Sequence, residues 1–383
     1  MTDAAALLGR MVDELSASGE LVPAWHDTFL SVLRHAFIPE VIWRHDANSD
    51  SDDDLVPLRR GDDPDGWLDL AYADDAVITQ VDDGRPVGPG LLGREISSSA
   101  SQPRVVAQML AALDVAPGMT VLEIGTGTGY NAALLAHRVG AENVTTVEID
   151  PQLATAAAGS LRDAGYGGVT CVTGDGALGH PERAPYDRII ATACVYRPPF
   201  AWIEQLRPGG RLLTPWRTEY YNGGLLALTA TGDGTAEGGI VSNVAFMMLR
   251  DQRNPRASVK AIVHATDEAA ASTTNVHPYR VAGHPGAAFT IGVRVPQCRS
   301  ITWPPDPETG AATVWFLDQW SRSWARLDYV PDAAEYAVHQ FGSRRLWDEV
   351  EAAYHWWLDA GSPDPGAWRF TINPTGHHLS LED

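Results

Sequence analysis

Three glycines at alternate positions, Gly125, Gly127 and Gly129, interrupt the run VLEIGTGTGYNAALLA, and acidic residues stand on both sides of them. Glu123 precedes the first glycine by two positions, Glu148 follows it by 23 in VTTVEID, and Asp175 lies between two further glycines in VTGDGAL. Glycines so spaced let a backbone approach a ligand closely, and an acid ending the next strand can accept both hydroxyls of a ribose. An aspartate at the tip of a third strand can accept from an adenine amino group. No third glycine stands at the dinucleotide spacing and Tyr130 fills the following position, which disfavours a pyrophosphate-bearing cofactor. The pattern points to an adenosine without phosphates, with S-adenosylmethionine as the candidate. The expected cofactor contacts are Glu123, Gly125, Thr126, Gly127, Gly129, Tyr130, Glu148, Ile149, Gly174, Asp175 and Gly176.

The elements that must hold these residues follow from the same stretch. MTVLEIG reads as a short apolar strand, YNAALLAHRV as an amphipathic helix and NVTTVEID as a second strand. VTCVTGD supplies a third strand and a fourth begins at Asp187, so the expected fold is α/β, a Rossmann-like methyltransferase sheet.

Composition narrows the partners. The chain has 383 residues, 44% hydrophobic and 20% charged, enough for two or three packed units. Its formal net charge of −21 opposes unaided binding to nucleic acid, because phosphates call for exposed Lys and Arg. No stretch reaches the roughly 20 apolar residues of a membrane helix, and the N-terminus MTDAAALLGRMVDEL lacks the charge pattern of a signal peptide, so a cytoplasmic enzyme is expected. Cys171, Cys194 and Cys298 have no CxxC spacing and read as free thiols, and no metal is expected. Asp46, Asn48 and Asp50 match the first positions of a calcium loop, but Ser51 and Pro57 occupy positions that need Gly and Glu, which leaves a solvated loop.

Upstream of the glycines stands a strip of small hydroxyl side chains, SSSASQP at residues 97–103. Serines compete for backbone hydrogen bonds outside regular structure, so the strip alone reads as loop. Its continuation changes that reading. SQPRVVAQMLAAL, VLEIGTGTGYNAALLA, the GDG and APYD segments and QLRPGGRLLTP together resemble the protein L-isoaspartyl O-methyltransferase family, with HAFIPE and AYADDAV as weaker landmarks, over roughly residues 5–250. The resemblance implies carboxyl O-methylation, with Ser101 beside the transferred methyl group and in contact with the substrate carboxylate. That chemistry needs no strong base, since a carboxylate is already ionised at neutral pH and a sulfonium already activates its methyl group; alignment carries the rate. Ser97, Ser98 and Ser99 are then expected as a flexible cover, Ser98 and Ser99 touching substrate. Where the family has Thr-Ile before the serine, this chain has Ser99-Ala100.

A competing assignment comes from YRPPF at residues 196–200, which stands after the fourth strand where DNA amino-methyltransferases place Asn or Asp before Pro-Pro and an aromatic. Those enzymes need an acceptor for the amino N–H, and Arg197 has only donors. Arg197 can instead hold a carboxylate bidentately, so Tyr196 and Arg197 are expected at the peptide substrate. A degenerate, non-catalytic binding module is the remaining alternative, and the intact glycines, Glu148, Asp175 and Ser101 count against it.

Residues 251–383 hold eight of the 13 tryptophans, strand-like runs AATVWFLD, WARLDYV and WRFTINP, and a helix whose Leu346, Trp347, Val350, Tyr354, Trp357 and Leu358 recur at helical spacing. The expected organisation is an N-terminal helical and lid region over 1–95, the methyltransferase core over 96–250, and a Trp-rich α+β domain over 251–383 that grips a peptide. This long form resembles the bacterial branch of the family associated with ribosomally made peptides, including the methyltransferases that accompany ATP-grasp (graspetide) cyclases. That likeness implies methylation of an ordinary aspartate in a crosslinked precursor, whose ester closes to a succinimide (aspartimide) and hydrolyses in part to isoaspartate. Generic repair of isoaspartyl sites is the alternative.

Overall fold

The computed structural model describes residues 3–46, 54–85 and 92–381, so Asn48, Asp50 and Ser51 of the calcium-like spacing lie outside the described residues. Four N-terminal strands, β1 (Val41–His45), β2 (Leu55–Arg59), β3 (Val77–Val81) and β4 (Ile96–Ala100), form an antiparallel sheet ordered β2-β1-β3-β4. The helices expected in this region are present at Ala4–Ala17, Pro23–Ser31 and Pro64–Tyr72, and the sheet is an addition to them. The first helix buries Leu8, Met11, Val12 and Leu15, an i, i+3, i+4, i+7 face. That face joins Phe29, Trp67, Leu110, Leu134 and Leu135 in one core on one side of the central sheet.

The central strands are β5 (Val121–Ile124), β6 (Val144–Glu148), β7 (Thr170–Thr173), β8 (Tyr186–Ala191), β9 (Leu206–Trp216), β10 (Gly224–Ala230) and β11 (Ala236–Ser242). β5 and β6 are buried throughout, as strands covered on both faces must be. A second, five-stranded sheet is built from β12 (Ala270–Thr274), β13 (Arg299–Thr302), β14 (Ala312–Asp318), β15 (Ser323–Tyr329) and β16 (Tyr336–Phe341), ordered β12-β16-β15-β14-β13. The last strands, β17 (Trp368–Asn373) and β18 (Gly376–Leu381), return to the first sheet, which has nine strands in the order β18-β17-β11-β10-β9-β8-β5-β6-β7. β5 pairs in parallel with both β6 and β8, so the chain winds outward in opposite directions from β5. The crevice beyond the carboxyl ends of these strands is where such a sheet takes a ligand.

A cut of the chain at residue 250 therefore does not separate two cores. Trp216, Leu226 and Leu228 of the central sheet pack in one continuous cluster with Phe289, Phe316, Trp347, Trp357 and Phe370 from the last third of the chain. The aromatic helix stripe is core: Trp347 and Trp357 are buried, and only Leu358 of that set is exposed. No helix among the described residues is long and apolar enough to cross a membrane.

One buried charge joins the N-terminal unit to the core. Arg34 is fully buried, and its guanidinium donates to the carbonyls of Ala71 at 2.6 Å, Ala73 at 3.3 Å and Asp75 at 3.1 Å, and of Ala100 at 3.3 Å and Ser101 at 3.1 Å. Burial lowers its pKa to about 10, against the opposing pull of Tyr130, Asp74, Tyr72 and Asp75, so it stays charged at neutral pH. A planar fork of five donors serves carbonyls from two segments at once. Arg34→Met would leave at least the buried Ala71 and Ala100 carbonyls without this donor, at about 1–3 kcal/mol each. Urea unfolding should show a loss of about 2–6 kcal/mol; a change within about 0.5 kcal/mol, the size usual at a surface site, would contradict this role.

Candidate functional site

β5 ends in a turn that only glycine permits. Gly125, Gly127 and Gly129 have φ of +93°, +52° and +87°, all in the region that side chains disfavour. A Cβ on Gly125 would come within 2.7 Å of Thr192 Oγ1, and one on Gly129 would touch Ala157 and Leu161 at 3.4 Å. A Cβ on Gly127 would stand in ordinary van der Waals contact with the Ser99 carbonyl at 3.8 Å and Ser98 Oγ at 3.9 Å. The glycine turn thus faces the serine strip at close range.

That strip is not the flexible cover expected of it. Residues Ile96–Ala100 are the strand β4, paired with β3 through Ile78↔Ser99 and Gln80↔Ser98, with register shifts between Ile78 and Val81. Side chains lock the pairing: Thr79 Oγ1 donates to Ser98 Oγ at 3.1 Å, and Ser97 Oγ donates to Gln80 Oε1 at 2.8 Å. The low strand preference of serine is overridden by these cross-strand bonds. Ser101 follows at the junction with the helix Pro103–Leu113, which starts with Pro at its first position. Its carbonyl is held by Arg34, while its hydroxyl makes no hydrogen bond with the described residues.

Between the two walls lies a cavity of about 480 Å³, within the size range of cofactor sites. Of the expected residues, Gly125, Thr126, Gly127, Tyr130, Glu148, Ile149, Asp175, Gly176, Ser98, Ser99 and Ser101 line it together. Glu148 is 7% exposed, with Oε2 accepting from Gly127 N at 2.9 Å and Oε1 from Asp150 N at 3.1 Å. Each oxygen keeps a further lone pair for a diol. The adjacent Ile149 is 38% exposed, an uncovered apolar face beside an acid, which suits an adenosyl group. Asp175 accepts from Ala177 N at 2.9 Å, which orients its carboxylate at the end of β7. The carboxylates of Glu148 and Asp175, the exposed Ile149 and the glycine turn that line this cavity fit an adenosine-type cofactor.

Other expected contacts fall elsewhere. Glu123 is fully buried beneath the turn and does not line the cavity; its oxygens accept from Asn131 Nδ2 at 2.7 Å and Thr146 Oγ1 at 2.5 Å. Thr146 and Thr126 hydroxyls lie 2.6 Å apart, so Glu123 braces the turn from below. Gly129 and Gly174 also lie outside the lining and shape the backbone. Tyr196 and Arg197 do not reach the cavity: their backbone amides donate to Gln252 Oε1, the Tyr196 hydroxyl donates to Glu219 at 2.6 Å, and Arg197 is exposed.

The arginines that do line the cavity are Arg250 and Arg253, together with Met247, Met248 and Leu249. They sit on a strap that leaves the sheet after β11 and crosses back over the strand ends through the bridge Cys194↔Met248. Arg250 and Arg253 each approach Asp83 at 3.1 Å, and Asp83 has a φ of +50° in the turn after β3. Arg250 also lies 3.9 Å from Asp150. Burial pushes Asp150 up, but hydrogen bonds from Gln80 and the Leu153 and Gln152 amides, with the Arg250 charge, bring it below the ordinary carboxylate value. Nothing local in RDQR marks these residues, because a tertiary crossing places them. Tyr130 is a further open group: its buried hydroxyl has no hydrogen-bond partner among the described residues, and burial holds its pKa far above the usual phenol value.

Comparison with known proteins places the same region. Residues 85–254 match the family model described as protein-L-isoaspartate(D-aspartate) O-methyltransferase. The chain is 38% identical to a protein-L-isoaspartate O-methyltransferase of Hyperthermus butylicus over 49% of this chain and 74% of the relative. It is 46% identical to one of Gloeobacter violaceus over 37% of this chain and 68% of the relative. A solved protein-L-isoaspartate O-methyltransferase overlays with a TM-score of 0.55 at 19% identity, covering 98% of this chain and 100% of the other. That last likeness is one of fold, and it includes the last third of the chain.

Burial raises the Glu123 pKa to about 7 from an ordinary 4.5, more than the hydrogen bonds from Thr146 and Asn131 lower it. A carboxyl whose folded pKa is raised stabilises the fold below its unfolded pKa, and that contribution is lost as pH rises through the folded value. Glu123→Gln keeps the neutral shape without the titration. Between pH 4.5 and pH 7 the stability difference should move in favour of the glutamine variant, by about 3 kcal/mol. Parallel stability curves for the two proteins across this window would show that Glu123 does not titrate there.

Proposed function

Because the chain belongs to the protein-L-isoaspartate(D-aspartate) O-methyltransferase family, we propose that it esterifies the free carboxylate of an isoaspartyl residue in a peptide or protein. It is an S-adenosylmethionine-dependent methyltransferase. The observation that carries the substrate reading is the unengaged hydroxyl of Ser101, held at the rim of the cavity that Glu148, Asp175 and the glycine turn share.

S-adenosylmethionine supplies, when bound, a methyl group already activated on a sulfonium. The residues that would hold it are the backbone of Gly125 and Gly127, Glu148 toward the ribose, Ile149 and Asp175 toward the adenine, and Thr126 and Tyr130 along the wall. Ser101 donates its O–H to one oxygen of the acceptor carboxylate, leaving the other oxygen free on the side facing the glycine turn. Ser98 and Ser99 line the same wall and limit where a peptide can lie. No general base is needed, so orientation and exclusion of water supply the acceleration. The methyl ester is a better acylating group than a carboxylate: the neighbouring backbone nitrogen attacks its carbonyl carbon, gives up its proton and expels methanol, which closes a succinimide. In this scheme residues 1–95 close the site from above, 96–250 carry the chemistry and 251–383 help to receive the peptide.

Tailoring of a normal aspartate in a crosslinked precursor peptide is the second reading. Trp303 and Trp320, left 47% and 57% exposed on the five-stranded unit, favour a surface that grips a peptide. Chain length no longer speaks for it, since a solved protein with the isoaspartyl name shares the fold over 98% of this chain. The relatives at 38% and 46% identity carry that name as well, so the isoaspartyl reading comes first.

The test supplies S-adenosylmethionine with an isoaspartyl linear peptide and, separately, a crosslinked peptide containing only normal aspartate, and follows methyl gain by mass spectrometry. Methylation of the isoaspartyl peptide is expected; turnover of the crosslinked peptide alone would replace this reading by the tailoring one. Ser101→Ala should lower turnover about 100-fold, the scale of one lost donor to a reacting oxygen. Calorimetric affinity for S-adenosylmethionine should change less than about twofold, because only the acceptor contact is removed. Unaltered turnover in this variant would take Ser101 out of the active site.

A further inference from the structure

The cavity closes differently at its two ends. Ser101 stands at the end of the serine strand that Arg34 holds, and Ser97 stands at the other, about 13 Å away at the usual strand rise. The Ser97 end lies beside Asp150, two residues past Glu148, because Ser97 Oγ donates to Gln80 Oε1 at 2.8 Å and Gln80 Nε2 donates to Asp150 at 3.1 Å. This is therefore the adenosine end of the site, and the half-exposed Ile96 lines it.

Two ion-paired arginines cross this end. Arg250 and Arg253 line the cavity from the strap, and both reach Asp83 in the turn after β3: Arg250 approaches one oxygen at 3.1 Å, and Arg253 donates to both at 3.1 Å. Asp83 stands outside the lining, and its amide donates to Ser97 Oγ at 3.1 Å. With Arg250 also 3.9 Å from Asp150, a ring of polar links runs from Ser97 through Asp83, Arg250, Asp150 and Gln80 back to Ser97. It ties the serine strand, the strap and the start of the helix Pro151–Asp163 together around the adenosine end.

The two sides of the ring are not held alike. The strap is anchored along its length: Met248 bridges to Cys194, Gln252 Oε1 accepts from the amides of Tyr196 and Arg197, and Gln319 of the five-stranded unit donates to the Pro255 carbonyl at 2.7 Å and accepts from Ala257 N at 2.9 Å. The turn is strained. Asp82, Asp83 and Gly84 have φ of +51°, +50° and +75°, and the first two carry side chains. Such a run persists only where its surroundings hold it. Here the Asp82 carboxylate accepts from the Arg94 and Glu95 amides, and the arginines of the strap hold Asp83. Strain favours release of the turn and the ion pairs favour its capture, so this end of the wall can open while Arg34 keeps Ser101 in place.

We propose that Asp83 is a clasp on cofactor exchange: its bonds to Arg250 and Arg253 close the adenosine end of the cavity, and S-adenosylmethionine enters and S-adenosylhomocysteine leaves only when the turn lets go of the strap. Asp83 is a positioning residue, acting through the two arginines from outside the lining. The proposal deepens the cofactor reading above and rests on it. A clasp that closes equally over a full and an empty cavity slows entry and exit by one factor and leaves the dissociation constant where it was. A residue that held the cofactor by contact would slow exit alone.

Tritiated S-adenosylhomocysteine measures both rates, entry by rapid filtration and exit by a chase with unlabelled compound. Asp83→Asn should raise both rate constants about tenfold, the scale of two partly exposed ion pairs together. The dissociation constant should move less than about twofold. Asp83→Glu restores the carboxylate and should bring both rates back toward those of the wild type, a rescue that a general loss of stability would not show. Added salt weakens the ion pairs and should quicken exchange in the wild type while leaving Asp83→Asn unmoved. Wild-type rates in Asp83→Asn, faster exit alone with weakened affinity, or exchange in the wild type that ignores salt overturns the clasp. A protein that takes up none of the labelled compound overturns the cofactor reading and the clasp with it, whereas tight uptake at rates indifferent to Asp83 overturns the clasp alone.

Discussion

A single buried guanidinium sets the geometry on which the site depends. Arg34 comes from a short turn in the N-terminal unit, yet its bonds to the Ala100 and Ser101 carbonyls hold the end of β4 and the start of the next helix. Its other bonds, to Ala71, Ala73 and Asp75, anchor the loop that leads into β3. The serine strand is therefore fixed at both of its supports, one through pairing with β3 and one through Arg34. Without that constraint the cavity would have one rigid wall, the glycine turn, and one movable wall. A transfer that relies on alignment rather than on acid or base chemistry needs both walls rigid.

The parts of the fold legible in the sequence are those written in local spacing. β5, its glycine turn, β6 and Glu148 could be placed because glycine tolerance, helix period and strand ends act within a few residues. β14, β15 and β17 read as strand-like runs, and the aromatic helix stripe as helical spacing. The return of β17, and of β18 behind it, to the first sheet is hidden, because the pairing of β17 with β11 joins residues more than a hundred positions apart. The serines of β4 misled in the same way: their propensity says loop, and the partners that overrule it, Thr79 and Gln80, sit on another strand.

The site shows the same division. Glu148, Asp175 and Ser101 face one cavity, as their strand-end positions and the family likeness imply. Glu123 has the right place in the motif and the wrong depth, because Asn131 and Thr146 draw it under the turn. Arg197 has the fork of donors that a carboxylate calls for, but Gln252 pins its backbone outside the cavity, and the strap brings Arg250 and Arg253 there instead. The last third of the chain is bound to the sheet by a shared core and not attached as an appendage. It helps position the strap, through Gln319, which is a structural reason for its presence under either substrate reading.

A crystal structure with bound S-adenosylhomocysteine decides whether the two walls act as described. The product should lie over Gly125 and Gly127, its ribose against Glu148 and its sulfur toward Ser101 Oγ, with the Arg34 bonds to Ala100 and Ser101 intact. Product lodged outside this cavity, or a Ser101 hydroxyl turned away from the sulfur with β4 displaced, would contradict it.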